Sequence, residues 1–271
     1  MKIFKNKHKL EKEILNIRNI CFVPTMGGLH KGHISLIKKS KSFKGKTLVS
    51  IFVNPKQFNN KKDFSSYPRN MNKDLKILKN LKVDIVYIPD YQDIYDFEVK
   101  NKIYLDNCSK ILCGKFRKGH FEGVINVINR FLEIIKPKYI FLGIKDFQQL
   151  YLISAHIKKR EIKTKVISCK TLREKNGVAC STRNRSCTKK QLLIASKVYN
   201  HLLTNKKKLI KDLKKYNYLK LEKDLLNFGL KKIDYIKVYN QGNFKLPVNR
   251  NKKIKIFIAY YLDKIRLIDN I

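Results

Sequence analysis

This chain of 271 residues predicts an α/β fold: a parallel sheet covered by helices on both faces, followed by a smaller α+β domain. Three observations carry that expectation. Short apolar runs bounded by turn signals recur at residues 20–23, 48–53, 83–88, 139–142 and 165–169. Stretches with apolar residues at three- and four-residue steps lie between several of them, and strands alternating with helices argue for parallel pairing. After Cys169 the texture changes: residues 173–188 are polar and turn-rich, the chain turns helical from Lys189, and β-like runs follow at 233–239 and 255–260. A division into domains 1–172 and 173–271 follows, the second large enough to hold its own core.

The first run, Ile20-Cys21-Phe22-Val23, leads into Pro24-Thr25-Met26-Gly27-Gly28-Leu29-His30-Lys31-Gly32-His33, then into an amphipathic helical stretch at 34–38. Strand, glycine-containing turn and helix form an arrangement that aims free backbone N–H groups and a positive helix end at a phosphate. His30 and His33 add donors on the same side, suited to phosphate oxygens in a charged transition state. A zinc site does not fit, because this His-x-x-His pair has no carboxylate or thiolate company.

The second run ends in Asn54-Pro55-Lys56-Gln57-Phe58. The amide of Gln57 both donates and accepts, which suits a carboxylate or a hydroxyl. Tyr67-Pro68-Arg69 precedes a helix expected over 72–81, with Leu75, Leu78 and Leu81 on one face. Asp74, near its start, reads either as a carboxylate on the Mg²⁺ side of a phosphate site or as an ordinary helix N-terminal acid. Arg117-Lys118-Gly119-His120-Phe121-Glu122-Gly123 is a basic, glycine-flanked turn, either a second anion clamp or a solvated loop. It runs into a helix over 123–135 that stops before Pro137.

The strand at 139–142 opens into Gly143-Ile144-Lys145-Asp146. Lys145 can reach phosphates from there, while Asp146 can accept from a ribose hydroxyl or cap a helix. Gln149 falls three residues on, in a helix expected over 147–160, and can face the same cleft. In parallel sheets ligands sit beyond the carboxyl ends of the strands, so these loops are expected at one shared edge. Farther on, Cys180-Ser181-Thr182-Arg183-Asn184 offers two hydroxyls and a guanidinium, a composition suited to a lid gripping β- and γ-phosphates.

Composition narrows the class. Lys and Arg number 61 against 21 acidic residues, a formal charge of +40. Only ten of the basic residues are Arg, Trp is absent, and the lysines are spread along the chain. Lys, Asn, Ile and Tyr are the products of A- and T-rich codons, so compositional drift accounts for the charge. Specific nucleic-acid binding is not expected, since no aromatic–basic RNA-reading signature accompanies it. No tract approaches a membrane span, and the basic start lacks the apolar stretch of a secretory signal, so the cytoplasm is the expected compartment. Six cysteines without a Cys-x-x-Cys pair suit neither a zinc site nor a disulfide framework.

Taken in order, these segments resemble the pantothenate synthetase (pantoate–β-alanine ligase) family. The residues that carry the resemblance are 24–33, 49–58, Tyr67-Pro68-Arg69, Gly119-His120-Phe121-Glu122-Gly123-Val124, Lys145-Asp146-Phe147-Gln148-Gln149-Leu150, Arg173-Glu174, Ser181-Thr182-Arg183-Asn184 and the closing Arg266-Leu267-Ile268-Asp269-Asn270. The resemblance implies a Rossmann-like N-terminal domain of the HxGH nucleotidyltransferase type, a C-terminal lid domain and a homodimer. It implies that ATP and (R)-pantoate give pantoyl adenylate and pyrophosphate, after which β-alanine displaces AMP to yield pantothenate, with Mg²⁺ assisting. His33 would be the proton donor, with His30 its partner and Lys145 beside the phosphates. Met26, Gly27, Gly28, Leu29, Lys31 and Gly32 would complete the nucleotide loop. Gly143, Ile144, Asp146, Leu172, Cys180, Ser181, Thr182 and Arg183 would line the ATP site as well. Gln57 and Gln149 would bind pantoate, Gln57 also meeting β-alanine, with Asn54, Tyr67, Arg117 and His120 as further pocket residues.

Four positions depart from that family's pattern. Ile144 stands where Glu is usual, Cys180 where Met or Leu is usual, Thr182 where a second Ser is usual, and Lys118 where Pro is common. Thr182 keeps a hydroxyl and Cys180 an apolar wall. Ile144 removes a carboxylate beside Lys145 and is the departure that bears on efficiency. A different HxGH enzyme, such as a tRNA-charging relative, is disfavoured by the Gln57 and Gln149 pair and the lack of an anticodon-binding domain. A basic scaffold without catalysis is disfavoured by the intact set of polar site residues.

Overall fold

The computed structural model describes residues 1–65, 67–211, 218–246 and 253–271. It divides into two compact units, Met1–Thr171 and Leu172–Ile271, one residue before the boundary expected from sequence.

The first unit runs β1 (Lys2–Phe4), α1 (Lys7–Ile14), β2 (Ile20–Thr25), α2 (Lys31–Lys41), β3 (Lys46–Ile51), α3 (Lys61–Ser65), α4 (Met71–Asn80), β4 (Ile85–Tyr87), α5 (Tyr91–Tyr95), α6 (Cys113–Phe116), α7 (His120–Ile135), β5 (Tyr139–Gly143), α8 (Phe147–Lys159) and β6 (Lys165–Cys169). Its six strands lie in the order β1-β4-β3-β2-β5-β6, and every adjacent pair is parallel. From β2 the chain builds outward through β3 and β4, and from β5 it builds the other way through β6. The order therefore reverses between β2 and β5, where an open α/β sheet forms its ligand crevice. The loops after β2 and β5 flank that point.

Both faces of the sheet are covered, which is why its strands read as apolar runs rather than as alternating ones. On one face Cys21, Val23, Val49, Ile51, Val86 and Phe141 pack with Leu29, Ile37 of α2 and Leu78 of α4. On the other, Phe131 of α7 meets Phe22 and Tyr87 with ring centroids 5.5 and 6.1 Å apart. The side chains alternate because successive strand residues point to opposite faces.

At the start of the chain two elements, β1 and α1, were not anticipated. β1 is three residues long and mostly exposed, too short to show a pattern, and it joins the sheet only through β4. α1 follows Asn6, whose side-chain oxygen accepts from Lys9 N at 3.2 Å as an N-cap.

The second unit contains α9 (Lys189–Lys211), α10 (Tyr218–Asn227), β7 (Lys232–Asn240), β8 (Ile254–Leu262) and β9 (Ile265–Asn270). The three strands form an antiparallel sheet in chain order. Leu202, Leu225, Ile256, Ile258 and Leu262 centre its own core. Arg173 clasps Asp269 of β9 with two hydrogen bonds of 2.6 and 2.9 Å, and its guanidinium lies 4.2 Å from the Tyr199 ring centroid. This unit is the α+β body expected after residue 172, with β9 added as a strand that its mixed polarity concealed.

Candidate active site

The loop between β2 and α2 is built by two glycines and one distant carboxylate. Gly27 and Gly28 have φ of +76° and +62°, a region that side chains with a Cβ rarely adopt. Thr25 Oγ1 accepts from Gly27 N at 3.2 Å and donates to Ser50 O at 2.6 Å, tying the loop's entry to β3. Gly28 N and Leu29 N do not stand open to a phosphate, contrary to what the glycine turn alone suggests. They donate to Asp74 Oδ2 and Oδ1 at 2.7 and 2.8 Å. Asp74, 1% exposed, reaches the loop from the first turn of α4. With both oxygens taken by backbone donors it braces the loop. No group of three or more His, Cys, Asp or Glu side chains poised for a metal is found among the described residues.

His30 and His33 cap α2 reciprocally. His30 Nδ1 accepts from Gly32 N at 3.0 Å, and His33 Nδ1 accepts from His30 N at 3.4 Å. Their rings lie 4.1 Å apart, centroid to centroid, at a 41° tilt. An imidazole nitrogen that accepts carries no proton, so this pattern assigns each neutral ring's N–H to Nε2. Both rings thus carry a donor edge of fixed tautomer at the helix N-terminus, where the macrodipole favours an anion.

Beyond β3, Asn54 holds the turn that carries Gln57. Its Oδ1 accepts from Lys56 N at 3.2 Å and from Tyr95 OH at 2.8 Å. Its Nδ2 donates to Gly123 O at 3.0 Å and to Gln57 Oε1 at 3.5 Å. Asn54 is 1% exposed and all four of its hydrogen-bonding positions are filled, so it holds the Gln57 turn from within the fold. Gln57, 8% exposed, donates from Nε2 to Met26 Sδ across to the first loop. Its carbonyl accepts from His120 Nδ1 at 2.8 Å and from an Arg117 N–H at 3.4 Å. Arg117 also meets His120 Nε2 at 2.9 Å. A carbonyl only accepts and a guanidinium only donates, so His120 here carries its proton on Nδ1.

The basic turn at 117–123 is therefore solvated only in part: Lys118, Gly119 and Glu122 are exposed, whereas His120, Phe121 and Gly123 are buried. Its buried His120 opens α7 and is fastened to the Gln57 turn. Gly123 makes that approach possible, because a Cβ there would lie 2.3 Å from Lys56 O. Tyr67, half-buried, packs edge-on against Phe58 with centroids 5.6 Å apart. Tyr95 carried no local signal, since it joins Asn54 only through tertiary folding. Burial raises its phenol pKa, which keeps the hydroxyl protonated and donating.

After β5, Gly143 leads into the single turn Ile144–Asp146. Lys145 Nζ meets Asp146 Oδ1 at 3.1 Å, and Asp146 makes no side-chain cap on α8. Gln148 and Gln149 divide their roles by helical phase. Gln148 is buried, accepting from Cys113 N at 3.2 Å and donating to Cys108 O and Ile111 O at 2.7 and 2.8 Å. Gln149 is half-buried on the neighbouring face.

In the second unit, Leu172 is 39% exposed and its carbonyl accepts from Cys180 N at 2.9 Å. Cys180 and Thr182 are buried, and the Cys180 thiol donates to Glu174 Oε1 at 3.3 Å. Ser181 caps the turn Thr182–Ser186 by accepting from Arg183 N at 3.3 Å, and Arg183 is half-buried. Residues Thr182–Ser186 form a short 3₁₀ turn. All six cysteines are free thiols.

The family model described as pantoate-beta-alanine ligase matches residues 2–271. A pantothenate synthetase of Francisella tularensis subsp. novicida is 38% identical over 280 aligned positions, covering 98% of this chain and 94% of the relative. A crystal structure of pantoate-beta-alanine ligase from Francisella tularensis, complexed with beta-gamma ATP and beta-alanine, superposes with a TM-score of 0.83 at 37% identity. It covers 100% of this chain and 97% of that one. A crystal structure of the Thermus thermophilus enzyme superposes with a TM-score of 0.89 at 25% identity, over 100% of this chain and 99% of its own.

Proposed function

This chain belongs to the pantoate–β-alanine ligase family, and we propose that it joins its two acids through a pantoyl adenylate formed on the crevice between β2 and β5. It is an ATP-dependent ligase that condenses pantoate with β-alanine. The full-length match carries that activity. The reciprocal capping of His30 and His33 supports the stepwise route.

A carboxylate is a poor electrophile until one oxygen becomes part of a good leaving group. In the first step a pantoate oxygen attacks the α-phosphorus of ATP. The bond to the bridging oxygen breaks and pyrophosphate departs. Nε2–H donors of fixed direction at His30 and His33, with the Lys145 ammonium, would meet the charge that builds on the phosphate oxygens. Such donors need no reorientation during transfer, because the helix backbone already holds both Nδ1 atoms. Gln57 and Gln149 would orient pantoate, Gln57 from a turn fixed at both its amide and its carbonyl. In the second step the neutral amine of β-alanine attacks the acyl carbon, the C–O bond to AMP breaks, and a proton leaves the new amide. Excluding water protects the mixed anhydride until then.

The resemblance also assigns Leu172, Cys180, Ser181, Thr182 and Arg183 to ATP, together with a homodimer and a cytoplasmic setting. No described helix is long and apolar enough to cross a membrane. The described side chains do not form a protein cage for Mg²⁺, and Asp74 is engaged by the loop. Mg²⁺ would enter with the triphosphate, held chiefly by phosphate and water as is usual for that ion.

The test is pantoate-dependent exchange between pyrophosphate and ATP, measured without β-alanine. Exchange that requires pantoate supports the adenylate, and no exchange above background with pantoate and ATP alone contradicts it. His33→Ala is expected to lower exchange by about 10²-fold or more, as loss of a transition-state donor does, while the far-ultraviolet dichroism stays unchanged.

A further inference from the structure

We infer that Asp74 is a positioning residue for the nucleotide step: its buried carboxylate fills the amide cradle of the β2–α2 loop and so directs the triphosphate onto the imidazole edges of His30 and His33. The inference rests on the reading of that loop as the ATP site.

Consecutive N–H groups in a glycine turn make an anion-binding concavity. In this chain Gly28 N and Leu29 N converge on one carboxylate, with one oxygen for each donor, at 2.7 and 2.8 Å. Asp74 lies 46 and 45 residues away from them in sequence and is 1% exposed. The loop and α4 are thus joined by two charge-assisted hydrogen bonds away from water, the setting in which such bonds are strongest. Space is tight on the loop side as well: a Cβ at Gly27 would stand 3.0 Å from Asp74 Oδ2 and 3.1 Å from Ile51 Cγ2.

Two consequences follow from charge and geometry. A phosphate oxygen cannot take the same two donors, since the carboxylate already holds them and repels a second anion. The loop is also set before nucleotide arrives, so the approach to the His30 cap is fixed in advance and binding need not order it. A carboxylate serving only as an N-terminal helix acid would point at the first turn of its own helix. The N-cap duty of α4 belongs instead to Asn70, which accepts from Lys73 N at 3.0 Å.

The direct test uses the wild-type protein: amide hydrogen exchange at Gly28 and Leu29, with and without a non-hydrolysable ATP analogue. Slow exchange at both amides without nucleotide, and little change on its addition, is expected. Fast exchange that slows when the analogue binds would overturn the inference, because it would mean the phosphates take those donors. If the analogue fails to bind at all, the ATP-site reading fails while the amide protection still reports on Asp74.

The kinetic test is Asp74→Asn, which keeps one acceptor and turns an NH₂ group toward the other backbone N–H. We expect KM for ATP to rise about tenfold, as for loss of one buried charged hydrogen bond, with KM for β-alanine within about twofold of wild type. Unchanged KM values with a kcat lowered in proportion to the folded fraction would show a role in stability alone and refute the inference. Should that variant not fold, Gly27→Ala presses on the same contact from the loop side, and the same rise in KM for ATP is expected.

Discussion

Proton placement on three imidazoles organises the site at the residue scale. His30 and His33 accept through Nδ1 and present Nε2–H, whereas His120 donates through Nδ1 to the Gln57 carbonyl and accepts from Arg117 at Nε2. The difference comes from what each ring faces, backbone N–H at a helix start or a carbonyl from another loop. His120→Asn places an amide N–H near the Nδ1 position and should keep Gln57 in place, whereas His120→Gln places it near Nε2 and leaves the carbonyl without that donor. KM for pantoate is expected to stay within about threefold for Asn and to rise about tenfold for Gln, the range for one buried hydrogen bond; steady-state kinetics of the two variants checks it. The histidines and glutamines were visible in the sequence. The partners that set their tautomers were not, because they lie far away along the chain.

At the scale of elements, the end of α5 and the non-repetitive segment after it are clasped by side chains from α7 and α8. Arg130 donates to Ile94 O and Phe97 O at 2.9 and 2.8 Å, and Glu133 accepts from Lys100 N and Asn101 N at 2.9 Å each. Deepest of all, His156 Nδ1 accepts from Tyr104 N at 3.1 Å while its Nε2 donates to Asn129 Oδ1 at 3.0 Å. Burial, with a smaller push from Arg160, lowers the His156 pKa from 6.5 to about 4. The unfolded chain therefore binds the proton that the folded one refuses between those values. Stability is unaffected by this group above pH 6.5 and falls as pH drops from 6.5 toward 4. The loss amounts to about 3 kcal/mol across the window. Urea midpoints at pH 7 and pH 5 should show the decline, and His156→Gln, which cannot titrate, should flatten it. The helices that do the clasping were legible from their apolar period. Their polar grip on a loop was not, since it obeys no period.

At the scale of the whole molecule, the formal charge of +40 is the dominant long-range electrostatic feature. Self-repulsion among so many lysines opposes the compact state and is screened by salt. The melting temperature should climb by several degrees between about 20 and about 300 mM NaCl, where the screening length falls steeply; a scan indifferent to ionic strength would contradict this. Order along the chain determined much else. Apolar runs alternating with helical stretches dictated a parallel sheet, because strands buried on both faces must be apolar throughout and parallel neighbours need crossover helices. Glycines, histidines and glutamines near the strand ends marked the edge proposed for the chemistry. Three things waited for the tertiary structure: that Asp74 fills the loop's amide cradle, that Asn54 is spent behind Gln57, and that His120 fastens one loop to another. Local sequence sets the period and polarity of an element. Which donor meets which acceptor across the fold is a matter of distance in space, and only the packed chain decides it.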